Sequence, residues 1–228
     1  MKLIYGVGIN DLGYKISRHE SVIDKQGNKK TRCVWTCPFY QTWLEMLRRG
    51  FSEKEKKRHP KYKNVTVCNE WLSTSKFKTW METQNWEGLD LDKDIMSEGS
   101  NLIYSPETCV FVPSYINTLL VTSDSIRGVW PLGVSLLKDQ VEKGRSKIFR
   151  ASIKDKRSVE YKQKNLGHFV TPQEAHSAWQ SAKCEVMSKR LDEYLEESSF
   201  NERVFKAIKT KQLKLKLDMF LGKETVRI

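Results

Sequence analysis

Lys147-Ile148-Phe149-Arg150-Ala151-Ser152-Ile153-Lys154 is the stretch on which the fold turns. Phe149, Ala151 and Ile153 alternate with Arg150, Ser152 and Lys154. That period of two gives a strand one apolar and one polar face. The apolar set is expected to face a helix, and Ile148, Arg150, Ser152 and Lys154 to face outward. Working outward, residues 134–138 and 157–166 read as flanking strands, punctuated by Gly144 and Asp155. Downstream, Thr171-Pro172-Gln173-Glu174 opens a helix, with Pro in the first turn and an acid near its positive end. Ala175, Ala178, Trp179, Ala182 and Val186 recur at helical spacing, and their alanines allow close approach to a sheet. Residues 126–184 therefore predict three strands packed on one helix.

The rest of the chain reads as mixed α and β. Residues 1–36 read as short strands and turns, with a turn at Lys25-Gln26-Gly27-Asn28. Phe39, Tyr40, Trp43, Met46 and Leu47 keep a helical period between Cys37-Pro38 and Gly50. The charged run 52–63 reads as a solvated loop or helix face. Phe77, Trp80 and Met81 mark a second helix, capped by Ser73 or Ser75. Asp90, Asp92 and Asp94 lie in a loop. Residues 101–104 and 109–112 then read as a hairpin around Ser105-Pro106-Glu107, and a helix begins at Ser114. In the tail, 187–228, Val204, Phe205 and Ile208 are helical in spacing. Leu213, Leu215 and Leu217 alternate with Lys and fit helix or strand.

The net charge is +12, a field that attracts polyanions. Five cysteines, Cys33, Cys37, Cys68, Cys109 and Cys184, make a poor disulfide framework. Cys33 and Cys37 would form half a zinc site, but a second pair is missing, so structural zinc is not expected. No run approaches the roughly 20 apolar residues of a membrane span, and the first residues lack a signal-type apolar core. The expectation is a cytoplasmic protein with no membrane partner and an open oligomeric state.

The unit at 126–184 resembles the Apetala/ethylene-response-factor-type DNA-binding domain. The resemblance rests on Arg127-Gly128-Val129, on residues 147–154, on Leu166-Gly167-His168-Phe169, and on the run from Thr171 to Trp179. Ile148 stands where that family often has Trp. Similar copies accompany many phage-encoded homing endonucleases of the HNH type, which would put the protein in a host cell's cytoplasm. The resemblance implies a sheet whose exposed face enters the major groove of double-stranded DNA. On that reading Arg127, Arg150 and Lys154 contact bases or phosphates, and Lys138, Lys147 and Arg157 contact phosphates. His168 and His176 are read as structural or surface residues.

Residues 89–120 resemble a divergent ββα-metal (HNH) nuclease motif. The matching residues are Leu91-Asp92-Lys93-Asp94, Tyr104-Ser105-Pro106-Glu107-Thr108-Cys109 and Asn117. The resemblance implies Asp92 and Asn117 as ligands of Mg²⁺ or another divalent metal. Lys93 stands in the slot of the usual His and would contact the scissile phosphate. Thr108 stands in the slot of the middle Asn, and Asp94 is the other candidate proton acceptor. An ordinary lysine, protonated up to a pKa of about 10.4, is a poor base.

The whole is expected to be an α+β chain. An HNH-like domain at 1–120 precedes the three-stranded DNA-binding domain at 126–184 and a basic, mostly helical tail at 187–228. The expected function is metal-dependent DNA endonuclease activity of the homing type. The rivals are a catalytically inactive DNA-binding regulator on the same scaffold and an inhibitor of a host protein.

Overall fold

The structure is a computed structural model that describes residues 3–96, 102–121, 129–157 and 163–228. The chain is α+β and divides into two compact units, 1–111 and 112–228. Among the described residues, no helix is long and apolar enough to cross a membrane.

The first unit opens with an antiparallel ribbon of β1 (Ser17–Ile23) and β2 (Lys29–Thr36). Helix α1 (Pro38–Phe51) follows, with Pro38 in its first turn, where a missing N–H costs nothing. The charged run forms a short helix, α2 (Glu53–Arg58), capped by Ser52. Strand β3 (Thr66–Val67) leads to α3 (Thr74–Glu82), whose cap is Ser73. Trp43, Leu47, Trp71, Phe77 and Met81 form the buried centre. The Trp43 indole donates to the Trp71 carbonyl at 2.7 Å, so its polar atom is satisfied inside the core.

Three short strands complete this unit: β4 (Asp90–Asp92), β5 (Ile103–Tyr104) and β6 (Val110–Val112). The expected hairpin of β5 with β6 does not form. Instead β5 runs parallel to β3, and β6 pairs with β4. Thr108 supplies the reason. Its hydroxyl donates to the Ile103 carbonyl at 2.7 Å and accepts from the Ser105 N–H at 3.1 Å. These bonds curl residues 103–109 into a compact turn and divert groups that a β5–β6 ladder would use.

The second unit begins with α4 (Ser114–Leu119), which the sequence assigned to the first domain. Strand β7 (Val134–Leu136) and helix α5 (Lys138–Glu142) come next. The meander continues with β8 (Phe149–Lys154) and β9 (Gln163–Phe169), and the sheet order is β7-β8-β9, antiparallel. Helix α6 (Pro172–Leu195) is entered through a full capping box of Thr171 and Glu174. Helix α7 (Glu202–Phe220) packs beside it, capped by Asn201. The alternating leucines are helical: Leu215 is buried, while Leu213 and Leu217 are exposed.

A buried polar layer binds these elements. Arg190 donates through Nε and Nη2 to the two Asp155 oxygens at 3.1 and 2.5 Å. Lys183 donates from α6 to the Leu119 carbonyl at 2.5 Å, tying α4 down. The His176 ring accepts the Thr225 N–H at Nε2, so its proton sits on Nδ1 and is donated to the Leu132 carbonyl at 2.9 Å.

Candidate nucleic-acid interface

The sheet of the second unit has two unlike faces. Val134, Phe149 and Ala151 are buried with Ala175 of α6 in one apolar cluster. Ile153 continues that inner face and is buried too. Ile148, expected on the outer face, packs against the apolar cluster instead. It precedes β8, and its carbonyl accepts the Leu137 N–H at 2.8 Å.

The outer face is polar and in register across all three strands. Ser135, Arg150 and His168 form one row. Ser152 and Asn165 form the next, then Lys154 and Gln163. The Gln163 amide donates to the Ser152 hydroxyl at 3.2 Å. The two rows are offset by a register shift between Ala151 and Ser152. Gly167 opposite takes φ +129, which a side chain would resist. The shift turns Leu166 against the apolar cluster, so the polar residues on either side of it keep the outer face. The Arg150 Nε and the Ser135 hydroxyl are shielded from solvent without a hydrogen-bond partner.

A shallow cleft opens from this face at His168, lined also by Gln140, Arg145, Ser146 and Lys147. Lys147 was expected among the DNA contacts. Arg145 was not, although its neighbours Lys143, Gly144 and Lys147 mark a basic turn. The other expected contacts scatter. Lys154 is exposed at the end of the outer face. Lys138 begins helix α5 rather than ending a strand. Arg157 lies in the turn after β8, not on a strand. Its guanidinium bonds Glu197 at 2.5 Å, pairs with Glu193 at 3.5 Å and stacks 4.2 Å from the Tyr115 ring centre. That charge is held by the protein itself. Arg127 lies outside the described residues.

In the first unit, Asp92, Lys93 and Asp94 follow one another at the end of β4. Asp92 Oδ1 accepts the backbone N–H groups of Asp94 and Ile95 at 2.8 and 2.7 Å, closing a tight turn. Burial pushes the Asp92 carboxyl above its ordinary pKa, outweighing those two bonds. The Lys93 side chain is buried, ion-paired with Asp94 and 5.7 Å from the Tyr104 ring centre. Asn117 lies on α4, in the second unit. A hard divalent ion wants several oxygen ligands. Asp92 has one oxygen committed to backbone N–H groups and stands beside the buried Lys93 ammonium, with Asp94 as the neighbouring carboxylate.

No protein-family model matches the chain, and no solved structure matches it. A stretch of 124 residues, 50% of the chain, is 31% identical to the Protein LOW PHOTOSYNTHETIC EFFICIENCY 1, chloroplastic, of Arabidopsis thaliana. The match spans 16% of that protein's length.

Proposed function

We propose that the chain is a double-stranded DNA-binding protein whose β7–β8–β9 sheet reads the major groove in the manner of Apetala/ethylene-response-factor-type domains. One observation carries this reading: the outer row Ser135–Arg150–His168 is polar, in register and backed by an apolar face sealed on α6. The major groove, about 12 Å wide, admits such strands. Arg150 at the centre of the row suits the O6 and N7 acceptors of guanine, with Ser152 and Asn165 next along the strands. Arg145 and Lys147 in the adjoining cleft suit phosphates, which position a protein without specifying sequence.

The test is selection of preferred sites from a random duplex pool, followed by binding of wild type and Arg150→Ala to the selected site. Arg150→Ala is expected to weaken that binding by about 1–3 kcal/mol and to change non-specific binding far less. Equal affinity of the two proteins for the selected site removes Arg150 from the reading face.

For residues 89–120 we propose a divergent HNH-like motif without the catalytic groups. β4 pairs with β6, and α4 follows β6 in the chain, the strand–strand–helix order of that motif. Its chemistry-bearing positions have other work. Asp92 closes a turn, Lys93 is buried in an ion pair, and Thr108 ties its own loop. The reading is therefore a DNA-binding regulator rather than a metal-dependent endonuclease. Supercoiled plasmid incubated with the protein and Mg²⁺ or Mn²⁺ is expected to stay intact. Cleavage that disappears in Asp92→Ala would reverse the assignment.

A further inference from the structure

The β1–β2 ribbon stands in solvent on both faces. From Arg18 to Ser21 and from Lys29 to Trp35 every residue is exposed, including Val34 and Trp35, and Ile23 is 71% exposed. A two-stranded ribbon with nothing against either face is marginally stable by itself. Its own ladder and a tight turn hold it. Asp24 accepts the N–H groups of Gln26 and Asn28 and pairs with Lys30 at 2.8 Å.

The register sorts its side chains into two faces. Arg18 with Trp35, Glu20 with Arg32, and Val22 with Lys30 lie on one face. Ser17 with Thr36, His19 with Cys33, and Ser21 with Thr31 lie on the other. The first face carries Arg18 and Arg32 with Glu20, and Lys30, which Asp24 already holds. Neither Arg18 nor Arg32 forms an ion pair among the described residues. A register shift beside Arg18 and His19 adds local twist.

We propose that this ribbon is a second DNA-binding element, entering the major groove with its Arg18–Arg32 face toward the duplex. The proposal rests on the DNA-binding reading of the chain and extends it to a site outside the sheet. Three physical features select the occupant. The cations match a polyanion. Two strands about 5 Å apart, with their side chains, match a groove about 12 Å wide. The added twist suits a helical groove rather than a flat surface. The deep, narrow major groove of A-form RNA would not admit it.

The experiment uses the full chain and a duplex carrying its selected site. Binding is measured across a salt series for wild type, Arg18→Gln with Arg32→Gln, the matching Arg→Lys pair, and Arg150→Ala. Each lost phosphate contact flattens the log K against log salt slope by about 0.9. The Gln pair is expected to flatten the slope by about 2 and to shorten the protected footprint. The Lys pair, which keeps the charge, is expected to hold the wild-type slope, and that separates charge from damage to the ribbon. If the Gln pair matches wild type in slope and footprint while Arg150→Ala still weakens binding, the ribbon proposal falls and the sheet reading stands. If wild type binds no duplex, the DNA-binding reading falls and takes this one with it. Equal competition by double-stranded RNA of the same sequence, or a changed oligomeric state in the Gln pair, also overturns the proposal.

Discussion

Lys183 is nine-tenths or more hidden from water, yet it carries an ammonium group. Burial holds its pKa at about 8, below the ordinary 10.5, with Asp155 pulling weakly the other way. The unfolded chain keeps this proton up to about pH 10.5, whereas the folded chain releases it above about 8. Between those values the unfolded state binds more protons, so stability rises with pH; below about 8 the contribution is flat. Compared with Lys183→Met, wild type is expected to gain roughly 3 kcal/mol between pH 8 and 10.5, at about 1.4 kcal/mol per unit. Urea unfolding of both proteins at several pH values measures it. A constant difference between the two would mean that Lys183 reaches water. Nothing local marks this residue's place, because a lone Lys on a helix is ordinarily a solvated one. The same blindness applies to Arg157 and Lys93. Their charge was legible, but the carboxylates that hold it, Glu197 forty residues away and Asp94 next door, become partners only through the fold.

Strands and helices were legible where a pattern repeats. The alternation of 149–154, the Thr171–Glu174 cap and the Trp43–Leu47 face all name their elements, since each is a local property of a few side chains. Pairing was not legible for the short strands. β5 has two residues, too few to specify a partner by pattern, and the Thr108 hydroxyl decides against the hairpin. Arg157, expected on the third strand, lies in a turn after β8. The buried Arg190–Asp155 pair anchors the chain at 155, and Asp155 Oδ1 also accepts the Arg157 N–H at 3.2 Å in that turn. Close approach between elements supplies a test here. Gly133, just ahead of β7, has φ +79, and a Cβ there would lie 2.0 Å from the Trp179 ring of α6. Gly133→Ala is expected to cost roughly 2–5 kcal/mol, combining left-handed strain with a clash in a packed interface. Gly144→Ala is the control. Its φ is +63 but its Cβ would meet nothing, so only the backbone strain of about 1–2 kcal/mol remains. Thermal unfolding of both variants separates the two effects. Equal losses would mean that Trp179 gives way.

Charge is a property of the whole chain, and its distribution sharpens the DNA-binding reading. Residues 112–228 hold 22 Lys and Arg against 14 Asp and Glu, so +8 of the net +12 belongs to the second unit. Not every cation is available to a phosphate. Arg157 and Arg190 are occupied by Glu193, Glu197 and Asp155. What remains near the proposed surfaces is Arg145, Lys147 and Lys154 around the sheet, with Arg18 and Arg32 on the ribbon. Five phosphate contacts predict a log K against log salt slope of about −4.5. Affinity for duplex DNA should then fall on the order of several hundredfold between 50 and 200 mM salt. Fluorescence anisotropy with a labelled duplex reads this directly. A slope no steeper than about −1 would mean that the positive field serves solubility rather than phosphate neutralisation. The choice among the rivals would then move toward a protein-directed interaction, because a surface that binds another protein keeps most of its affinity when salt screens its rim.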